Sequence, residues 1–147
     1  TRGAERSRAV RALAQALKHS ADDILEANTL DLEASREMAV PELILDWLKL
    51  TPERLHTTIQ MLERLSELSD PIRRVMNASY QLEHSQTYCQ LMPLGTIALI
   101  YEAFPELGAI AAGLCIKTGN SLILRGGSEA SHSNAAIAEA LKFALDD

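Results

Sequence analysis

The stretch LGTIALIYEA at residues 94–103, followed by KTGNSLILRGGSEA at residues 117–130, decides the fold of this chain. Each segment contains a short apolar run that ends in polar residues, and a helical pattern lies between the two runs. Parallel strands need a helical crossover, and open α/β sheets bind ligands at the carboxyl ends of their strands. We therefore predict a strand–helix–strand unit, with the functional site where its strands end.

The rest of this carboxyl-terminal segment, residues 94–147, reads as a β-α-β-α unit. Buried strands are predicted over 96–101 and 121–124, with a helix over 105–118 between them and a second helix from 128 onward. The residues RGG at 125–127 are predicted to form the turn after the second strand. Gly119 and Asn120 end the first helix, since glycine is favoured just beyond a helix terminus. The face predicted to be buried on that helix consists of Leu107, Ile110, Ala111, Leu114 and Cys115.

Residues 1–70 have a helical pattern and are predicted to form a helical layer. Ser20 is predicted to be the N-cap of the second helix, and Pro41 to open a short third helix. Thr51 and Pro52 predict the start of a fourth helix, with Thr51 as the N-cap and proline at the first helical position. That helix should end before Pro71. The apolar face of the first helix is predicted to be Val10, Leu13, Ala14 and Leu17.

Residues 71–93 are predicted to form a β-ribbon arm, because polar and apolar side chains alternate weakly between Tyr80 and Leu91. An exposed ribbon leaves backbone donors and acceptors open to another chain, so it is suited to forming an oligomer. A solvated hairpin explains the pattern equally well. An incomplete sheet would also expose an apolar edge, which favours a homo-oligomer.

Composition limits the function classes. The chain has 147 residues and is 47% hydrophobic, which is enough for one core and requires only one domain. The chain has 14 basic and 20 acidic residues, which gives a net charge of −6, so a nucleic-acid partner is not expected. The apolar runs are far shorter than the roughly 20 residues that span a bilayer, so no membrane segment is expected. The amino terminus lacks the apolar core of a signal peptide, which predicts a cytoplasmic protein.

The cysteines and histidines do not indicate a metal site. Cys89 and Cys115 are too few for a disulfide framework and lack metal-ligand spacing, so both are expected to be free thiols. Cys115 lies on an apolar helix face and should fill the core. The four histidines are scattered along the chain without ligand spacing. No metal is expected.

The turn after the second strand is the candidate ligand site. Glycines there allow a close backbone approach, and an arginine at a strand end pairs well with phosphate, so a nucleotide could dock. An ordinary βα turn with a solvated arginine is the alternative. Glu102, at the exit of the first strand, is a candidate acid, base or hydrogen-bonding group, although a solvated carboxylate is more common. The residues of the predicted cofactor turn are Arg125, Gly126, Gly127, Ser128 and Glu129.

From Ala12 to Leu141 the chain resembles the amino-terminal part of the γ-glutamyl phosphate reductase family, within the aldehyde dehydrogenase superfamily. The match consists of several motifs in order, which makes it specific. The motifs are EAN at 26–28, DL at 31–32, LTPER at 50–54, DP at 70–71, PLG at 93–95, IYEA at 100–103, LCIKTGN at 114–120, LRGGSEA at 124–130 and SN at 133–134.

The resemblance implies that the 147 residues form part of a cofactor-binding domain, the first half of a Rossmann-like unit. It implies an NADP-dependent reduction of γ-glutamyl phosphate, the acyl phosphate of glutamate, to glutamate 5-semialdehyde in proline biosynthesis. It places residues 125–129 beside the adenosine ribose of NADP. The family's catalytic cysteine lies in a later domain and matches neither Cys89 nor Cys115, so no catalytic residue is assigned here.

The chain departs from the family in the loop after the first strand, which the resemblance identifies as a substrate loop. The family reads Arg-Pro-Asn after the motif IYEA, whereas Phe104, Pro105 and Glu106 stand here. Together with Glu102 they form the candidate substrate loop. Phenylalanine and glutamate are not donors to developing negative charge, and a glutamate repels an acyl phosphate. The departure therefore indicates either altered substrate use or an inactive paralogue, and the alternative to a reductase part is a non-catalytic paralogue or fragment that acts as a binding or oligomerisation module.

Overall fold

The structure of the chain is a computed structural model, which describes residues 2–72, 74–77, 83–85 and 87–145. The α/β class predicted from the sequence is confirmed. The elements are α1 (Gly3–His19), α2 (Ala21–Glu37), α3 (Glu42–Leu48), α4 (Pro52–Glu67), β1 (Val75–Asn77), β2 (Tyr88–Gln90), β3 (Thr96–Tyr101), α5 (Glu106–Lys117), β4 (Ser121–Gly126), a 3₁₀ turn (Ser128–Ala130) and α6 (Ser131–Leu145).

The two ends of the sequence share one hydrophobic core. The predicted apolar face of α1 is buried and packs against α4, α5 and α6. The helical layer therefore depends on the β-α-β-α unit for the burial of its apolar face. The main buried members of this core are Val10, Leu13, Ala14, Leu17, Ile24, Leu55, Ile59, Leu62, Ala109, Ile137 and Leu141.

In residues 1–70 the helix starts follow the predicted signals with one exception; the last helix, predicted from residue 128 onward, starts as a 3₁₀ turn and becomes α-helical at Ser131. Thr51 caps α4, because its Oγ1 accepts a hydrogen bond from the Arg54 amide at 3.2 Å, and Pro52 occupies the first helical position. The predicted N-cap role of Ser20 is wrong as to the side chain, which makes no capping bond. Ser20 is the only residue between α1 and α2, and its amide closes α1 by donating to the Ala16 carbonyl at 2.9 Å.

β3 and β4 form a parallel pair joined by α5, as the sequence predicts. The register runs from Thr96 opposite Ser121 to Tyr101 opposite Gly126. β4 is longer than predicted, because Arg125 and Gly126 belong to the strand and not to the turn.

The prediction that both strands are buried is wrong. Their residues alternate between exposed and half-buried, and the side chains of Ile100 and Ile123 are 79% and 59% exposed. The cause is one-sided coverage: α5 contacts this pair of strands, and in the part of the chain that the structure describes nothing buries the alternate face. Continuous apolar runs are typical of parallel strands covered on both faces, so the runs predict burial on a second face that the described part of the chain does not cover.

The buried face predicted for α5 is also partly wrong, since Leu114 is 49% exposed. The apolar residues of α5 itself are distributed around its whole circumference, so their spacing does not indicate which face is buried. A glycine sets the packing of α5 against α4 instead. A Cβ at Gly113 would collide with the Leu62 side chain, so the absence of a side chain lets α5 lie close to α4. The buried residues of α5 are Gly108, Ala109, Gly113, Cys115 and Lys117.

Lys117 is a buried charged residue of α5 that forms hydrogen bonds with the carboxyl end of α4. Its Nζ donates to the carbonyls of Ser66 and Leu68 at 3.1 and 2.6 Å and to Ser7 Oγ at 2.7 Å. Burial lowers the pKa of this ammonium. A cation at a helix carboxyl end satisfies carbonyls that have no partner within the helix and interacts favourably with the helix dipole.

β1 and β2 form an antiparallel pair within the predicted ribbon, with Met76 opposite Cys89. The side chains of Val75 and Tyr88 are 59% and 64% exposed. Residues 80–82 and 86, on which part of the alternation rests, lie outside the described residues. Among the residues described, no helix combines the length and the apolar character needed to cross a membrane.

Candidate functional site

The two predicted site segments leave the sheet side by side. Tyr101 and Gly126, the last residues of β3 and β4, are paired, so the chain turns off both strands at the same level. Arg125, predicted to lie in the turn, is instead the penultimate residue of β4, exposed and opposite Ile100. Its guanidinium is thereby attached to a strand and not to a turn.

Glu129 joins the predicted cofactor turn to the predicted substrate loop. Its Oε1 accepts a hydrogen bond from the amide of Ala103 at 2.8 Å. Ala103 is 1% exposed and has φ of 53°, in the left-handed region that costs a residue with a side chain roughly 1–2 kcal/mol. A backbone held in this conformation next to a strand end is typical of a site whose geometry is constrained.

The position of the Glu129 carboxylate also explains why residue 127 is a glycine. A Cβ at position 127 would overlap the carboxylate oxygens, so glycine leaves the room that Glu129 occupies. On the helix side, Asn134 lies against Gly126, where a Cβ would collide with its Nδ2. Asn134 Oδ1 accepts a bond from the Tyr101 hydroxyl at 3.3 Å. Burial raises the pKa of Tyr101, so the phenol keeps the proton that it donates.

The amino end of α6 is already occupied by a buried carboxylate. Asp31 Oδ1 accepts from the His132 amide at 3.0 Å, and Oδ2 accepts from the Ser133 amide and hydroxyl, each at 2.7 Å. The amides of a first helical turn are where a phosphate commonly binds. Here Asp31 holds the amides of His132 and Ser133, so a phosphate would have to use Arg125 or the turn before the helix.

The role of Asp31 is not apparent from the sequence. It reaches His132 and Ser133 across about 100 positions, and neither its neighbours nor its spacing marks it as a cap for another helix. Its presence in the DL motif was the only signal. His132, one of the scattered histidines, lies with Nδ1 2.8 Å from Asp31 Oδ1.

The two substituted positions of the substrate loop pack against the helical layer. The Phe104 ring stacks on Trp47 with centroids 5.5 Å apart, and the Arg54 guanidinium lies 5.9 Å from the centre of the same ring. Glu106, at the start of α5, forms an ion pair with Arg54. The charge of Glu106 is thus paired, which weakens the repulsion of an acyl phosphate expected from the sequence. Glu102 is exposed.

The described cysteines differ in environment. Cys115 is buried, and burial raises the pKa of its thiol, which keeps it protonated and unreactive. Cys89 is exposed on β2. Over the residues that the structure describes, no group of three histidines, cysteines or carboxylates is placed to hold a metal ion.

Comparison with known proteins finds similarity, in sequence and in fold, to one family of reductases. The chain is 61% identical over 145 residues to γ-glutamyl phosphate reductase 2 of Synechocystis sp., and 43% identical over 139 residues to γ-glutamyl phosphate reductase of Gloeobacter violaceus. In sequence and in fold, the chain matches the amino-terminal portion of γ-glutamyl phosphate reductase. No protein-family model matches it.

Solved γ-glutamyl phosphate reductases superimpose on nearly the whole chain. The enzyme of Thermotoga maritima gives a TM-score of 0.85 at 34% identity, and that of Saccharomyces cerevisiae gives 0.90 at 29%; each covers 99% of this chain. The chain spans about a third of the length of the curated relatives it matches, 34% and 33% for the two reductases compared above. The strand ends and both loops therefore lie within the matched part.

Trp47 is the only tryptophan in the chain, and Phe104 stacks on it, so tryptophan fluorescence reports on the packing of the candidate substrate loop. In the 147-residue chain, Phe104→Leu should shift Trp47 emission to longer wavelength, since loss of the ring leaves the indole more hydrated. Phe143→Leu, which changes the other phenylalanine on an exposed part of α6, is the matched control and should leave the spectrum unchanged. An unaltered spectrum in Phe104→Leu would contradict the packing of this loop.

Proposed function

We propose that this chain is the amino-terminal part of an NADP-dependent γ-glutamyl phosphate reductase, and that residues 125–129 contact the adenosine end of the cofactor. The observation that carries the proposal is the junction of the two strand ends, where Glu129 bridges the cofactor turn and the substrate loop. The similarity to the reductases supports it independently. The first half of a Rossmann-like cofactor domain is the corresponding fold assignment.

The chemistry of the turn suits a ribose that carries a phosphate. A carboxylate accepts several hydrogen bonds, so Glu129 has capacity for a ribose hydroxyl beside the bond from Ala103. Arg125 offers an exposed guanidinium, the group best suited to a phosphate monoester such as the 2′-phosphate of NADP. Because Asp31 holds two amides at the start of α6, the pyrophosphate is expected elsewhere.

NADPH would supply the hydride for reduction of the acyl group of γ-glutamyl phosphate. In this proposal the chain's own residues bind and orient the cofactor, while the catalytic cysteine belongs to a later part of the protein. Neither Cys89 nor Cys115 takes that role. The proposal includes a small-molecule substrate and a cytoplasmic location. The location is supported by the two free thiols, which are typical of a reducing compartment.

A non-catalytic paralogue is the second candidate. It is favoured by the substrate loop, where Phe104 and Glu106 replace the arginine and asparagine of the family and are engaged with Trp47 and Arg54. The complete reading frame discriminates the two. A downstream cysteine whose replacement abolishes reduction of γ-glutamyl phosphate supports the reductase, whereas unchanged turnover in that variant contradicts it.

Arg125→Ala tests the cofactor assignment by calorimetric titration of the protein expressed from its complete reading frame. Loss of a charge-assisted bond to phosphate should cost about 1.5–3 kcal/mol, roughly a 10- to 100-fold weaker Kd for NADPH. The Kd for NADH should change far less, because NADH lacks the 2′-phosphate. Arg36→Ala, at an exposed arginine of α2, is the control. Equal weakening for both cofactors, or none, would contradict the assignment.

We also propose that the ribbon of β1 and β2 contacts another copy of the protein. Its support is the exposed apolar side chains of Val75 and Tyr88 on the two-stranded sheet and of Met92 just beyond β2, the last 76% exposed. Light scattering of the complete protein should give a mass above that of one copy, and replacing Val75 and Tyr88 with lysine should lower it. A monomer at micromolar concentration would count against this interface.

A further inference from the structure

Asp31 lies at the centre of a buried polar network that joins α2, α3 and α6. Asn28 Nδ2 donates to the Leu48 carbonyl at 2.8 Å and to Ser133 Oγ at 3.1 Å, and the Leu50 amide donates to Asn28 Oδ1 at 2.8 Å. Ser133 Oγ in turn donates to Asp31 Oδ2. Asn28 and Asp31 are 2% exposed and Ser133 is 0% exposed. These three side chains are therefore buried, while the His132 imidazole, whose Nδ1 lies 2.8 Å from Asp31 Oδ1, is 56% exposed.

We infer that Asp31 is a positioning residue for the cofactor turn, which it holds in place through the first turn of α6. The inference rests on the proposed function, because it concerns the same cofactor turn, residues 125–129, and Ala130 directly after it. Asp31 does not touch the predicted ligand site. It acts through His132 and Ser133, whose amides it fixes.

Contacts transmit the position of α6 to the turn. Asn134, next to Ser133, lies against Gly126 and accepts the bond from the Tyr101 hydroxyl, so both strand ends rest on the first turn of α6. Ala130, directly after the turn, is 1% exposed and packs with Leu32 and Leu48. A shift of α6 would therefore displace Gly126 and Ala130, and with them Glu129 between them.

The energies involved indicate that the network contributes more to the relative position of α2 and α6 than to the stability of the fold. Burying a carboxylate costs several kcal/mol, which its hydrogen bonds and the helix dipole offset, and replacing such groups with apolar ones is often neutral. Apolar contacts are non-directional, whereas hydrogen bonds at 2.7–3.0 Å fix one arrangement of the two helices. A turn that must meet a ligand within a few tenths of an ångström needs that precision.

Asp31→Asn tests the inference in the complete protein, because the amide keeps the shape but presents a donor to one of the α6 amides. Two readouts are used: hydrogen exchange of residues 128–134 without ligand, and the Kd for NADPH. We expect faster exchange confined to these residues and about tenfold weaker NADPH binding. Ser133→Ala, a milder change that keeps Asp31, should move both readouts in the same direction by about threefold, and decides the matter if Asp31→Asn does not fold.

Two controls separate positioning from stability. Ser35→Ala lies one turn along α2, is equally buried, and removes a hydroxyl that has no hydrogen-bond partner among the described residues; both readouts should stay unchanged. Val10→Ala lowers stability in the core away from the turn and should leave the Kd for NADPH unchanged. If Val10→Ala weakens NADPH binding as much as Asp31→Asn, or if exchange at 128–134 is unaffected by Asp31→Asn and Ser133→Ala, the inference is overturned. Absence of NADPH binding by the unsubstituted protein would contradict the proposed function instead, while the exchange readout still decides the positioning role.

Discussion

The parallel register between β3 and β4 is the constraint on which the site depends. It sets Tyr101 opposite Gly126, so that the loop beginning at residue 102 and the segment beginning at residue 127 leave the sheet at the same level. A shift of one residue would reverse which side chains face α5 and would separate Ala103 from Glu129. The crossover through α5 makes the pairing parallel, and the chain thereby produces two adjacent loops from segments about 25 residues apart.

Charged groups at helix ends hold this arrangement against the helical layer. Lys117 lies at the carboxyl end of α4 and Asp31 at the amino end of α6, so each charge has the sign that the local helix dipole favours. Each also satisfies backbone groups that a helix end leaves without partners. The apolar core supplies the driving force for packing, while these buried polar contacts fix where the helices stop and how they face one another.

Local signals in the sequence predicted the elements well. Thr51 and Pro52 gave the start of α4, Gly119 the end of α5, and two apolar runs the strands that flank it. These features depend on a few neighbouring residues, so a single sequence contains the information. The motifs of the resemblance likewise predicted the family that the comparisons found.

Features that depend on distant neighbours were not predictable. The exposed face at Ile100 and Ile123, and the exposure of Leu114, depend on which elements cover a surface, and apolar runs do not encode that. The cap that Asp31 provides to α6 joins residues about 100 positions apart. Of the candidate site, sequence supplied the residues of the turn, whereas the bridge from Glu129 to Ala103 and the engagement of Phe104 and Glu106 by the helical layer emerged only in three dimensions.

A crystal structure of the complete protein with NADPH is the most direct test of the central claim, that the turn after β4 receives the adenosine end of the cofactor. The account predicts ribose oxygens within hydrogen-bond distance of the Glu129 carboxylate, the 2′-phosphate beside Arg125, and Asp31 still bonded to the amides of His132 and Ser133. A pyrophosphate seated on those α6 amides with Asp31 displaced, or a cofactor bound away from residues 125–129, would contradict it.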